Sequence, residues 1–303
     1  MMAESAGIIF DVLRYAIHDG PGIRTTVFFK GCPIRCLWCA NPESQDPGLE
    51  ISYLADRCVL CGRCVEACPN QAVAILEGVR VLNRKSCRAC GRCAETCPTG
   101  AVRLVGRTAT VGELFEEIVR DRIFWERSGG GVTLSGGEPL SQPAPALDLL
   151  KICREHHVST AVESCLHVPT RSLEEVLPQV NHFICDLKTV DEAKHVRLTG
   201  VSNALIKKNL AFLLQAGQEV LVRMPLIPGL NDAPADLEAL GRFLQSLGGR
   251  LHFEILPYHR LGEPKYERLG RAYALKDLAP PTAEQVAAAR GLLESYHLKS
   301  ISY

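Results

Sequence analysis

The sequence lacks an excess of charge of either sign. Lysine plus arginine and aspartate plus glutamate each number 34 among 303 residues. Balanced charge gives no electrostatic reason to bind nucleic acid or an anionic membrane. The chain also lacks the roughly 20 consecutive apolar residues that cross a bilayer, and its N-terminal stretch lacks a run long enough for a secretory signal. We therefore expect a cytoplasmic monomer with no nucleic acid or membrane partner.

What the sequence does have is cysteine, with fourteen in the chain. Disulfides explain them poorly, because cytosolic thiols are kept reduced. Eleven fall in three tight groups between Cys32 and Cys97. The other three, Cys153, Cys165 and Cys185, stand among apolar neighbours, and we interpret them as buried packing residues.

Two of the groups repeat one pattern. Residues 58–69 read CVLCGRCVEACP and residues 87–98 read CRACGRCAETCP, an interval of 29 residues. C-x2-C-x2-C-x3-C-P is the bacterial ferredoxin run, in which the fourth cysteine binds the other cluster. The spacing predicts two 4Fe-4S clusters, one held by Cys58, Cys61, Cys64 and Cys97, the other by Cys87, Cys90, Cys93 and Cys68. Zinc is the alternative, but it does not account for the third cysteine, the x3-Cys-Pro ending and the duplication together.

The remaining group has three cysteines, Cys32, Cys36 and Cys39, and no fourth nearby. Three thiolates on a four-iron cluster leave one iron without a protein ligand. An open coordination position separates catalytic metal sites from closed structural ones. The spacing therefore predicts a third cluster, whose open iron can be chelated by an amino and a carboxylate group.

These residues resemble a known family. C-x3-C-x2-C after an apolar strand is typical of radical S-adenosylmethionine enzymes, and residues 18–32, HDGPGIRTTVFFKGC, are similar to the subfamily that activates glycyl radical enzymes. Four later motifs share the resemblance: SGGEP at 135–139, DLK at 186–188, RMPLIPG at 223–229 and LPYH at 256–259. The similarity runs from about residue 8 to about residue 297, interrupted by the ferredoxin-type stretch.

The expected fold class is α/β. Apolar runs predict strands at 25–29, 132–134, 160–162, 182–186, 220–224 and 252–256, and helices at 112–122, 146–156, 173–177, 204–216, 234–246 and 283–296. Their alternation predicts parallel βαβ units. Periodicity fits a flat doubly wound sheet equally well. The resemblance implies a partial (β/α)6 radical S-adenosylmethionine barrel from residues 1–52 and 106–303, with an inserted ferredoxin-like α+β domain at 53–105.

The resemblance also implies which residues surround the cofactor S-adenosylmethionine. They are Trp38, Asn41, Gly136, Gly137, Glu138, Glu163, Ser164, Asp186, Lys188, Arg223 and His259. Residues 136–138 would bind the methionine amino group, Lys188 would lie near the carboxylate, and Asp186 near the ribose or a monovalent cation. Arg223 would be costly inside the protein without a partner, which we expect the cofactor to supply. Without the resemblance, a plain turn at 136–138 and a solvated Asp186–Lys188 pair are the alternatives.

The implied reaction is cleavage of S-adenosylmethionine by one electron, followed by hydrogen abstraction from a glycine of a partner glycyl radical enzyme. That partner would be a lyase, dehydratase or decarboxylase, met by Asp19, and the electron donor a flavodoxin or ferredoxin. Two alternatives remain. A radical enzyme could act on a small molecule or peptide, although four cysteines in each ferredoxin run favour sealed relays. An electron carrier would leave Cys32, Cys36 and Cys39 without a purpose.

Overall fold

The computed structural model describes residues 5–301. Its strands are β1 (Ala6–Ala16), β2 (Arg24–Phe29), β3 (Glu50–Tyr53), β4 (Val73–Leu76), β5 (Val79–Leu82), β6 (Val102–Val105), β7 (Arg107–Thr110), β8 (Gly131–Gly136), β9 (Ser159–Ser164), β10 (His182–Asp186), β11 (Glu219–Leu226), β12 (Arg250–Pro257) and β13 (Lys299–Ser300). Its α-helices are α1 (Arg63–Glu66), α2 (Arg92–Glu95), α3 (Val111–Ile118), α4 (Arg122–Ser128), α5 (Pro143–Glu155), α6 (Thr170–Val176), α7 (Glu192–Thr199), α8 (Ala204–Gln215), α9 (Pro234–Leu247), α10 (Glu263–Arg268) and α11 (Ala283–Glu294).

Nine strands form one sheet in the order β13-β12-β11-β10-β9-β8-β2-β1-β7. The run from β2 through β8 to β12 is parallel throughout, whereas β1 pairs antiparallel with both β2 and β7. The α/β class and the six parallel strands expected from sequence are confirmed. The antiparallel arm made by β1 and β7 was not predicted.

The central parallel strands are largely buried, which is typical of strands covered by helices. The first five residues of β8 are buried, and in β11 only the first residue is exposed. Helices α3, α5, α8, α9 and α11 pack their apolar sides on the outer face of the sheet. Local sequence defines their starts: Thr110 and Glu113 form a capping box at α3, and Pro234 opens α9.

The ferredoxin-type stretch leaves and re-enters through a short antiparallel pair, β3 with β6, in which Glu50 lies opposite Val105. Within it, β4 and β5 form a hairpin. Glu50 attaches this neck to the main sheet. Its carboxylate forms one ion pair with buried Lys30, at 3.2 Å, and a second with Arg271. In the described part of the chain, no helix is both long and apolar enough to span a bilayer.

Because β8 and β9 approach closely, we expect a side chain at Gly131 to destabilise the protein. A Cβ at Gly131 would lie 2.0 Å from the Ser159 carbonyl oxygen, so Gly131→Ala should lower the free energy of unfolding by about 2 kcal/mol or more. Gly291, inside α11, has open space around its Cβ position, so Gly291→Ala should leave stability unchanged or raise it by up to about 1 kcal/mol. Urea unfolding followed by circular dichroism measures both, and equal midpoints would contradict the packing described.

Candidate active site

One cavity of about 410 Å³ opens at the carboxyl ends of the parallel strands. All six strands contribute to its wall, through Phe28, Ser135, Glu163, Asp186, Pro225 and Leu256. Because strands from both ends of the parallel run meet around one space, the sheet curls into a partial barrel. Its volume is typical of a cofactor or small-molecule site, and its position is the catalytic end of βα barrels.

The three cysteines of the first group, Cys32, Cys36 and Cys39, all line this cavity. Backbone hydrogen bonds hold their loop on two sides, from Gly31 N to Ser44 O at 2.7 Å and from Arg35 N to Thr199 O at 2.7 Å. Trp38 is also in the cavity wall and packs with Ile227 and Tyr258. The loop is therefore fixed by the barrel, with its thiols facing the cavity.

Two of these thiols lie in an environment that favours the neutral form unless a cation binds. Burial raises the pKa of Cys36 to about 12 and that of Cys39 to about 11. A metal ligand must be a thiolate, so bound iron would supply the positive charge that deprotonation needs here. In residues 5–301, no three His, Cys, Asp or Glu side chains are arranged as ligands of a single ion. Cluster ligands stand farther apart, since an iron–sulfide core separates them.

The glycine motif lies directly against the cysteine loop. Gly137 N donates to Phe29 O at 2.9 Å, and Glu138 N donates to Gly31 O at 2.8 Å. A Cβ at Gly136 would lie 2.4 Å from Phe29 O, and Gly136 has a φ of +113°, which disfavours other residues. Both Gly136 and Gly137 line the cavity. The glycines are thus required by close backbone packing, which also leaves their peptide groups at the cavity wall.

Glu138 requires a correction. Its side chain is fully buried and is not part of the cavity wall. The carboxylate accepts hydrogen bonds from Ser164 Oγ and Cys165 N, each at 2.8 Å, and from Leu140 N at 3.1 Å. Burial raises the pKa of this carboxyl, and the hydrogen bonds oppose the rise. In this structure Glu138 therefore joins the glycine turn to the end of β9, and its carboxylate is not part of the cavity wall. Ser164, its partner, likewise lies behind the wall.

Arg223 also differs from expectation. It lies outside the cavity wall, and its guanidinium pairs with Glu163 and Glu254, each at 2.8 Å, and donates to His18 O. Burial alone would lower the pKa of Arg223, but the two carboxylates outweigh it and the net shift is upward. The expectation that a cofactor must supply its partner was wrong, because β12 places Glu254 opposite Arg223 in the strand register.

Four further predicted residues do line the cavity. Asp186 and Lys188 form an ion pair of 2.9 Å, and this attraction raises the pKa of Lys188 although burial opposes it. Asn41 accepts a hydrogen bond from Lys265 at 2.8 Å, and His259 is exposed at the cavity's edge. Lys188 remains available as a buried cation for an anionic group.

Asp19 belongs to the same wall. Thr26 donates to its carboxylate at 2.6 Å, and Glu163, which also lines the cavity, is close enough to repel it. Burial and this repulsion raise the pKa of Asp19. A cation entering from solvent would find here a carboxylate that lacks an arginine or lysine of its own among the described ion pairs.

Sequence reasoning missed Cys165. It is buried, as expected, yet it lines the cavity, and its thiol lies within hydrogen-bond distance of Cys32. The description of Cys165 as a packing residue is therefore incomplete. The available signal was its position, since it follows Glu163 and Ser164 at the end of β9.

The backbone of the ferredoxin-type stretch repeats as its sequence does. Positive φ angles recur at three pairs of positions 29 residues apart: Leu60 and Ala89, Gly62 and Gly91, Gln71 and Gly100. Gly62 and Gly91 precede the equivalent helices α1 and α2. The two halves therefore wrap their cysteines in the same way.

Four cysteines of this stretch lie around one small space. Cys58, Cys61, Cys64 and Cys97 line one small cavity, which combines three thiols of the first run with the last of the second. In the other set, Cys87 and Cys68 lie near Cys93. Burial raises the pKa of Cys93, and the two neighbouring thiols raise it further. Cys90 is exposed. The backbone amide of Ala72 donates a hydrogen bond to the Cys68 sulfur at 3.2 Å. Hydrogen bonds to sulfur help to set the reduction potential of iron–sulfur clusters.

Comparison with known proteins places this geometry in a family. The model of the 4Fe-4S single cluster domain matches residues 18–206. The (2S)-3-sulfopropanediol sulfolyase activating enzyme of Bilophila wadsworthia is 44% identical, covering 90% of this chain and 92% of the relative. The choline trimethylamine-lyase activating enzyme of Oleidesulfovibrio alaskensis is 41% identical, covering 91% of each.

Among solved structures, Streptococcus suis SuiB bound to precursor peptide SuiA matches with a TM-score of 0.51 and 14% identity, covering 89% of this chain and 46% of that one, which is a likeness of fold. Sequence, fold and the cavity with its three cysteines agree: the chain belongs to the glycyl-radical-enzyme activating enzymes, within the radical S-adenosylmethionine enzymes.

Proposed function

We propose that this protein cleaves S-adenosylmethionine and abstracts a hydrogen atom from a glycine of a partner glycyl radical enzyme, leaving the glycyl radical there. The observation that carries the proposal is the meeting of Cys32, Cys36 and Cys39 with Gly136, Gly137 and Lys188 around one cavity. The activating enzymes of a sulfolyase and a choline lyase are similar over nine-tenths of the chain. The partner is accordingly a lyase, dehydratase or decarboxylase.

Cys32, Cys36 and Cys39 would hold a 4Fe-4S cluster, which would supply the electron for cleavage of the sulfonium carbon–sulfur bond. The chain's own residues bind and orient. The peptide carbonyl oxygens of Gly136 and Gly137 accept hydrogen bonds from the methionine ammonium. Lys188 attracts the methionine carboxylate. Trp38, Asn41 and His259 enclose the nucleoside, and Asp186, already paired with Lys188, faces the ribose or a monovalent cation. Glu138, Ser164 and Arg223 hold this wall from behind.

The ferredoxin-type stretch, residues 53–105, supplies two further 4Fe-4S clusters to the main domain of residues 1–52 and 106–303. The mixed set of thiols around one small cavity supports this assignment. Glu50, shared by Lys30 and Arg271, fixes the neck of the insertion to the strand that precedes Cys32. The clusters then relay electrons from a flavodoxin or ferredoxin, and the enzyme acts as a monomer in the cytoplasm.

The cluster count is tested by iron analysis. Anaerobically reconstituted protein should contain about twelve irons per chain, since eleven cysteines form three cubane sites. The triple variant of Cys32, Cys36 and Cys39 to alanine should retain about eight irons and produce no 5′-deoxyadenosine under dithionite. The buried Cys153→Ala variant is the control and should keep both properties. About four irons together with bound zinc would refute the insertion clusters.

The role of Asp19 is tested by the substitution Asp19→Asn, which removes the charge and keeps the shape of the side chain. We propose that its carboxylate receives a cationic side chain beside the target glycine. Asp19→Asn should then slow partner activation about tenfold or more, because truncating a charged hydrogen-bonded pair costs about 2 kcal/mol or more. Cofactor cleavage without partner should stay within about twofold of wild type. Equal loss of both rates would place Asp19 among the cofactor contacts instead.

A further inference from the structure

Arg80 is a buried charge in the hairpin of the insertion. It lies on β5 opposite Ile75, and only 5% of its surface is exposed. Its guanidinium carbon stands 4.9 Å from the centre of the Tyr53 ring. Its Nε and Nη2 atoms are both buried, and within residues 5–301 neither has a hydrogen-bond partner. An arginine in this state carries a desolvation cost that requires compensation.

The groups around Arg80 show where the compensation lies. Arg80 lines the small cavity shared with Cys58, Cys61, Cys64 and Cys97. It also reaches Cys93 of the second set, where burial raises the thiol pKa and the Arg80 charge opposes that rise. The guanidinium thus borders the thiols of the first predicted cluster, and its charge also acts on Cys93 of the second.

No carboxylate forms an ion pair with Arg80 among the described salt bridges of residues 5–301. Arg84 lies near enough to repel Arg80, and Arg84 itself donates to Ile51 O at 3.2 Å. Tyr53 packs its ring on the guanidinium and has no carboxylate to offer. The remaining candidates for negative charge are the thiolates of bound clusters.

We propose that Arg80 is the shared buried counter-charge of the two insertion clusters and makes both easier to reduce; this rests on the proposed function, which places two clusters in the insertion. A cubane held by four thiolates carries net negative charge, and reduction adds one electron without making or breaking a bond. A fixed cation in a buried site stabilises the more negative state by more. Arg80 therefore raises both reduction potentials and lets the insertion hold an electron before it passes to the cluster at Cys32.

The experiment measures reduction potentials in full-length protein carrying alanine at Cys32, Cys36 and Cys39, so that only the insertion clusters give a signal. Arg80→Met should lower both potentials, each by at least a tenfold change in the reduction equilibrium, which is about 59 mV for one electron. Arg80→Lys keeps the charge and should recover most of the difference. Arg103→Met removes an exposed arginine of the same insertion and should change neither potential.

The iron content of each variant keeps the outcomes distinct. Unchanged potentials in an Arg80→Met protein that retains about eight irons would overturn the proposal. Loss of iron in Arg80→Met but not in Arg80→Lys would support it, because charge alone separates those variants. Loss in both would show a purely structural arginine and overturn it. A parent protein without insertion iron would overturn the cluster assignment first, and this proposal with it.

Discussion

The site depends on the close approach of two backbone segments. The turn at Gly136 and Gly137 lies so near the end of β2 that a Cβ on either residue would collide with a carbonyl oxygen, at 2.4 Å in both cases. Two hydrogen bonds, from Gly137 N and Glu138 N, join the segments. The cysteine loop begins three residues after the end of β2, at Cys32. Any widening of this contact moves the thiols relative to the glycine peptides, so cofactor contacts and cluster ligands share one constraint.

Buried ion pairs and hydrogen bonds next to the cavity wall hold these backbone segments in place. Arg223 joins Glu163 of β9 to Glu254 of β12, so three strands are linked by one guanidinium. Glu138 links the glycine turn to β9 through Ser164 and Cys165. Lys188 is the buried cation that remains at the wall, paired with Asp186 alone among the described ion pairs. Glu163 and Cys165 both line the cavity and take part in these contacts, so the same residues connect the wall to the strands behind it.

Much of this could be predicted from sequence, because the determining patterns are local. Apolar runs located the six parallel strands from β2 to β12, although not the short β13 that pairs parallel with β12. The errors arose where strand register decides the outcome. Glu254 faces Arg223 only because β11 and β12 align as they do, and no local pattern carries that information. Glu138 was assigned to a ligand because the direction of its side chain depends on how β8 meets β9.

The central claim is that the cavity at Cys32 generates a radical that removes hydrogen from a partner's glycine. It is tested most directly with a glycyl radical enzyme, sought first among the genes beside this one, prepared with deuterium on the glycine α-carbon and incubated anaerobically with reductant and S-adenosylmethionine. The account predicts deuterium in 5′-deoxyadenosine and a glycyl signal on the partner by electron paramagnetic resonance. 5′-Deoxyadenosine free of deuterium, with a silent partner, would contradict it.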